Sequence, residues 1–184
     1  MENRMRIGLW SAAALLLVLP LFAMRLTDQV VWDLTDFVIL GALLVGVGAA
    51  LELVVWKTAR VFYRAGSAVA LGTVFLLLVV NGAVGVIGSS HNDANLMFAG
   101  VLGVVVVGAG WARFRAEGMA RAMIAAAIAQ LLVAVMTLAA GSGSFGPIWP
   151  FDILLATVFF AGLWILSARL FRKAAGLPVG KEDS

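Results

Sequence analysis

The chain has 184 residues, 63% of them hydrophobic and 12% charged, against roughly 45–50% apolar and about 25% charged in an ordinary soluble domain. A mean hydropathy of +1.06 excludes a water-soluble monomer and implies solvation mainly by lipid. The absence of cysteine and the single histidine, His91, exclude disulfides, thiolate metal centres, Fe–S clusters, bis-histidine haem and zinc sites built on several imidazoles. The formal charge of +3 is dispersed between apolar runs rather than massed on a soluble face, which speaks against nucleic acid as a partner.

Six apolar segments, at residues 7–24, 37–56, 68–88, 96–111, 122–140 and 153–171, approach the ~20 residues that cross a hydrocarbon core. They predict an all-α, polytopic six-helix bundle forming one transmembrane domain over residues 1–184. The first segment also has the look of a signal peptide, which would leave five spans. Its apolar core exceeds the usual 7–15 residues and runs on into Phe22, Met24 and Arg25, so it reads as a retained helix.

The second segment places Gly41, Val45, Gly48 and Glu52 on one helical face. Glu52 is the only formal charge well inside an apolar segment, and an ionisable group there is a functional candidate because hydrocarbon penalises it. It either lines a polar path, snorkels to the membrane boundary, or pairs with Arg60, Arg64, Arg113 or Arg115. Gly41 and Gly48 are expected at a close helix contact, and Leu40 is expected to face lipid. On the third helix, Asn81, Gly85 and Gly88 share a face: the glycines permit close packing, whereas Asn81 needs a partner. The fifth helix carries Gln130 centrally in a stripe with Ala122, Ala126, Ala134 and Thr137, a pattern that reads as interhelical adhesive or, alternatively, as part of a solute pathway.

Twelve of the thirteen basic residues fall on one side of the spans: Arg4, Arg6, Lys57, Arg60, Arg64, Arg113, Arg115, Arg121, Arg169, Arg172, Lys173 and Lys181. Short cytoplasmic loops are enriched in such residues, so both termini are expected in the cytoplasm of a bacterial inner-membrane protein. Trp32 and Trp149 then lie at the outer boundary and Trp10, Trp56 and Trp111 near the inner one, as an aromatic belt requires. The outer side holds Asp33, Asp36, His91, Asp93 and Asp152. His91 beside Asp93 is a possible pH sensor, while Asp36, Asn92, Asn95 and Asp152 are candidate helix caps.

A weak internal repeat lies across the three outward hairpins. The return helices begin at Asp36, Asn95 and Asp152, which follow Pro20, Asn81 and Thr137 by 16, 14 and 15 residues. Three tandem two-helix hairpins would produce it, as would convergent hydropathy.

The stretch Asn81-Gly-Ala-Val-Gly-Val-Ile-Gly-Ser-Ser-His-Asn-Asp-Ala-Asn-Leu-Met97, with Trp32-Asp-Leu-Thr-Asp-Phe37 and the glycine-rich second helix, resembles a group of small six-span bacterial membrane proteins of unassigned function. The plan of three hairpins with Pro20 ahead of the first outer turn is similar to that of the HdeD-type acid-resistance membrane proteins. Both resemblances imply a six-helix membrane fold and carry no functional residues.

No nucleophile, base and orienter can be assembled, and no nucleotide-binding glycine motif or helical zinc motif is present. The expectation is a non-enzymatic membrane component without cofactor or metal, in contact with the lipid bilayer and associating with itself or with a larger membrane complex. The alternative is a conduit for protons or a small solute lined by Glu52, Asn81, Gln130 and Thr137. A third option, catalysis at the outer surface, would rest on Asp33, Asp36, His91, Asp93 and Asp152.

Overall fold

The computed structural model describes residues 2–26, 32–83, 86–87, 93–142, 144 and 149–176. Its regular structure among these is entirely helical: α1 (Glu2–Leu26), α2 (Leu34–Lys57), α3 (Val61–Ala83), a 3-10 turn (Asp93–Leu96) leading into α4 (Met97–Trp111), α5 (Ala116–Ala139) and α6 (Phe151–Ala174). Six helical stretches are long and apolar enough to cross a membrane, as a multi-pass integral membrane protein requires.

The helices outrun the apolar segments at their charged ends. α3 begins at Val61 rather than 68, and α5 at Ala116 rather than 122. Hydropathy marks the part of a helix that sits in hydrocarbon, whereas backbone hydrogen bonding continues through the basic turns whose side chains reach water. At its other end α3 stops at Ala83, and Val86 and Ile87 form a bend, so the third helix is shorter than the apolar run to 88. α1 runs through Pro20, which lacks the N–H that would bond the carbonyl one turn earlier.

The chain divides into two compact units, 1–57 and 58–184. In the first, α1 and α2 form an antiparallel hairpin whose buried stripe on α2 is Leu40, Leu44 and Gly48. Leu40, expected against lipid, is therefore part of the hairpin contact. Val45 faces outward with 56% of its surface exposed. Gly48 makes the close contact expected of it, since the Trp10 ring lies where a Cβ would come within 3.2 Å, while at Gly41 a Cβ would sit at an ordinary 3.9 Å from Leu17; the rest of the buried stripe is shifted by one position, to Leu40 and Leu44.

In the second unit the packing order is α4, α5, α6, α3. Thus α5 and α6 pair as a hairpin, whereas α3 packs mainly on α6 and α4 mainly on α5. Small residues decide this. Ser167 on α6 donates its hydroxyl to the Gly66 carbonyl on α3 at 2.9 Å, and the Phe171 ring covers Gly66 so closely that a Cβ there would lie 3.2 Å away. Between α4 and α5, a Cβ on Gly108 would lie 2.7 Å from that of Ala122, and one on Gly118 would lie 2.6 Å from that of Ala112. Backbone approach of this kind is what holds helices together where lipid removes the hydrophobic drive.

The unit is inverted relative to a soluble bundle. Gln130, Thr137, Thr73 and Ser167 are almost completely buried, while Ile128, Leu132, Val135, Leu155 and Val158 are exposed. α5 closes with Gly141 at φ +64°, where Ser142 N–H bonds Thr137 O and Gly141 N–H bonds Leu138 O, the glycine-terminated ending that a left-handed residue permits.

Substituting Gly118→Ala sets a helix-propensity gain of roughly 0.5–1 kcal/mol against an overpacking cost of about 1–3 kcal/mol. The clash falls on Ala112 Cβ and Cα, which cannot rotate away, so a net loss is expected. Thermal melting in detergent should show Gly118→Ala less stable than wild type and Gly72→Ala, where a Cβ meets nothing within 4 Å, unchanged or slightly more stable.

Candidate functional site

In the first unit the polar groups converge on one carboxylate. Arg6 Nε donates to Glu52 Oε1 at 2.9 Å and Nη2 to Oε2 at 3.4 Å. Trp10, one turn further along α1, donates its indole N–H to Oε1 at 2.9 Å. An antiparallel hairpin places the start of α1 beside the end of α2, so Glu52 takes its cation from Arg6. Arg60, Arg64, Arg113 and Arg115, the partners expected from sequence, all belong to the second unit. At the opposite end of the hairpin, Asp33 Oδ1 accepts the Asp36 N–H at 3.0 Å and Asp36 Oδ2 accepts the Asp33 N–H at 2.9 Å. This reciprocal arrangement satisfies two backbone donors at once. Asp33 is the cap of α2 and Asp36 its reciprocating third residue, so the capping role predicted for Asp36 passes to Asp33.

In the second unit, Asn95 is buried and ties the α3–α4 connection. Its Oδ1 accepts the N–H groups of Val86 at 3.1 Å and Ile87 at 2.9 Å, and its carbonyl accepts from Asn81 Nδ2 at 3.3 Å. Asn95 therefore does not cap α4: Leu96 stands at that position, with no side-chain cap. The reason is that Val86 and Ile87 lie in a bend, outside any helix, and their N–H groups have no helical acceptor to use. Asp152 lies in the first turn of α6 and its Oδ1 accepts the N–H of Ile153 at 2.8 Å. Asp93 is exposed in the 3-10 turn. His91, Asn92, Gly85 and Gly88 lie outside the described residues.

Gln130 is fully buried and neither of its amide atoms has a hydrogen-bond partner among the described residues. It sits about 14 Å by helical rise from Ala139 at the end of α5, deep in the span. The stripe Ala122, Ala126, Gln130, Ala134 and Thr137 is buried throughout, as its spacing predicts. Helix-to-helix adhesion through the Gln130 amide, by contrast, is not made with any described group. Thr137 and Thr73 use their hydroxyls locally, donating to Val133 O and Val69 O at 2.7 Å each. Trp164 Nε1 and Asn81 Oδ1, also buried, likewise have no partner among the described residues.

The basic ends of the second unit's helices lie together. Tyr63 Oη donates to Phe114 O at 2.6 Å, Arg60 Nη1 to Ala174 O at 3.4 Å, and Arg64 Nε to Thr58 O at 2.6 Å, while Lys173 Nζ lies 5.6 Å from the Phe62 ring centre. Among the described residues no three His, Asp or Glu side chains gather at metal-binding distance.

Of the four path residues expected from sequence, Glu52 belongs to the first unit and Asn81, Gln130 and Thr137 to the second. Of the outer-face residues, Asp33 and Asp36 pair with each other within the first unit. Sequence reasoning missed Arg6 and Trp10 as partners of Glu52, although both carry the signal: they stand one turn apart on α1, at the same end of the hairpin as Glu52. It also missed Ser167, which shares a helical face with Thr157, Phe160, Trp164 and Phe171.

Removing the Asn95 amide strands two buried N–H groups, so Asn95→Ala should destabilise the protein by about 1–3 kcal/mol. Gln130→Met replaces an unpartnered buried amide by an apolar chain of similar shape and should leave stability unchanged or raise it. Equilibrium unfolding of both variants in the same detergent reads the opposite signs directly.

No protein-family model matches this chain, and neither a curated protein nor a solved structure shows significant similarity to it.

Proposed function

We propose that the protein is a six-span component of the bacterial inner membrane with both termini in the cytoplasm, without enzymatic activity. It acts structurally or as an accessory, through association with itself or with a larger membrane complex. The observation that carries this reading is the engagement of Glu52, the one charge set well into a span: its carboxylate is bonded by Arg6 and Trp10, which occupies it within the α1–α2 hairpin. Asn81, Asn95, Thr73, Thr137 and Ser167 are likewise engaged with neighbouring backbone. Polar groups disposed of locally in this way fit a protein whose outward faces do the work. The one-sided distribution of lysine and arginine supports the orientation, and the clustering of basic helix ends in the second unit accords with it. The likeness to small six-span bacterial membrane proteins belongs to the same reading.

A second reading, a conduit for protons or a small solute, is favoured by Gln130, whose unpartnered amide offers a donor and an acceptor deep in the span. It requires water or solute to reach that amide. Catalysis at the outer face has no such support, since the described aspartates serve helix starts.

Three measurements test these readings. The chain has no native cysteine, so Ser144→Cys should react with an impermeant maleimide in intact cells and Ala59→Cys should not; the reverse pattern overturns the orientation. Purification from gently solubilised native membranes should yield a fixed companion or a defined homo-oligomer. Vesicles containing the protein should pass protons, urea and glycerol no faster than empty ones; faster passage that Gln130→Met abolishes would establish the conduit instead.

A further inference from the structure

Between α4 and α5 runs an open groove of about 740 Å3, lined by Gly100, Gly103, Val104, Val107, Ala122 and Ala125 among others and ending at Trp111 and Arg121. A Cβ on Gly100 or Gly103 would meet nothing within 4 Å, so these glycines leave space unfilled rather than admitting a neighbouring helix. From Gly100 to Trp111 the helix rises about 16 Å, close to half of a ~30 Å hydrocarbon core. The groove is therefore about one leaflet deep.

At the Trp111 end it opens into a polar depression of about 670 Å3 that includes Arg113, Arg115, Glu117 and Arg121, and the two share Trp111, Ala112, Gly118 and Arg121. Glu117 is bonded by Arg121. Arg113 and Arg115 have no side-chain partner among the described residues. The turn that carries them is fixed in place. Arg113 and Phe114 adopt left-handed φ values of 47° and 58°, Phe114 O is held by the Tyr63 hydroxyl, and the Gly118–Ala112 approach fastens the start of α5 to the end of α4. Trp111 is 90% exposed, placed as an indole at the headgroup level is placed.

We infer that this groove binds an anionic glycerophospholipid, with one acyl chain along α4 and α5 and the phosphate against Arg113 and Arg115. The match is one of length and charge together. An apolar channel one leaflet deep fits an acyl chain, and two uncompensated guanidinium groups at its mouth fit an anionic headgroup rather than a neutral one. A transmembrane helix of a second copy would need a face continuing through the other leaflet, where the groove has ended. A free phosphate would leave the apolar channel without a role.

The test is titration of the full-length protein in mild detergent with dioleoylphosphatidylglycerol, dioleoylphosphatidylcholine or sn-glycerol 3-phosphate, with bound ligand counted by native mass spectrometry. Phosphatidylglycerol should be retained and the other two not. Arg113→Gln with Arg115→Gln should weaken its binding about 30-fold, from the electrostatic worth of two basic residues at a membrane surface. Gly103→Leu fills the groove without touching either arginine and should also weaken it. Equal retention of the two lipids would mean an unselective lipid belt, and equal binding of glycerol 3-phosphate would mean a headgroup site alone; either overturns the inference. So does wild-type retention by Gly103→Leu, which decides the matter alone if the double arginine variant fails to fold.

Discussion

Hydrocarbon offers a protein neither hydrogen bonds nor a reason for apolar side chains to leave it, and every contact in this structure answers to that constraint. Helix association must come from close backbone approach and from polar groups that find partners inside the chain. The approaches are made by Gly66 under Phe171, Gly108 against Ala122, Gly118 against Ala112 and Gly48 under Trp10. The polar partnerships are few: a serine to a glycine carbonyl on another helix, threonines to their own helices, an asparagine to two loop amides.

The two units meet the constraint differently. The α1–α2 hairpin buries little, and its specific attachment is one ion pair with an indole donating to the same carboxylate. Both partners keep part of their side-chain surface exposed, so the attachment holds the helix ends in register more than it anchors a buried charge. The α3–α6 unit spreads its attachment over many small contacts around Trp164, Phe171, Leu77 and Met123, all fully buried. Gln130, like the Trp164 indole, finds nothing described to bind, and its amide is the place where packing and a transport role make opposite demands.

The six helices were legible in the sequence because hydropathy over about 20 residues is the signal a bilayer imposes. So was the buried stripe of α5, because Ala122, Ala126, Gln130 and Ala134 repeat at helical spacing with nothing large among them. Pairings were legible only in part: the α1–α2 and α5–α6 hairpins form as a three-hairpin repeat implies, but side-chain partners and the placing of α3 and α4 did not follow from it. The partner of Glu52 depended on which helix end lies alongside it, and four arginines further along the chain looked equally suitable. On α2, Gly48 and Glu52 meet α1 as their shared face predicted, but Leu40 and Leu44 stand at the contact where Val45 was expected, because a hydropathy pattern does not show what lies opposite. The capping roles of Asp36 and Asn95 went astray for a related reason. Short polar residues near a helix start all look like caps, and only the location of unpaired N–H groups distinguishes them. The neighbour order α4, α5, α6, α3 lay beyond reach of a repeat that treats consecutive helices as pairs.

That neighbour order has a consequence for biosynthesis. Gly66 and Ser167 are 101 residues apart in the chain, and ribosomes add roughly 5–20 residues per second. For about 5–20 s after α3 leaves the ribosome, the helix it will pack against does not yet exist, and its Gly66 face must wait among lipids or transient neighbours. α4 waits far less, since α5 follows it after a turn of four residues, 112–115. Assembly of this unit is thus a nucleus of three consecutive helices, α4 to α6, onto which an older helix returns. Truncation before α6 would therefore leave α3 without its main packing partner as well, while α4 and α5 kept each other.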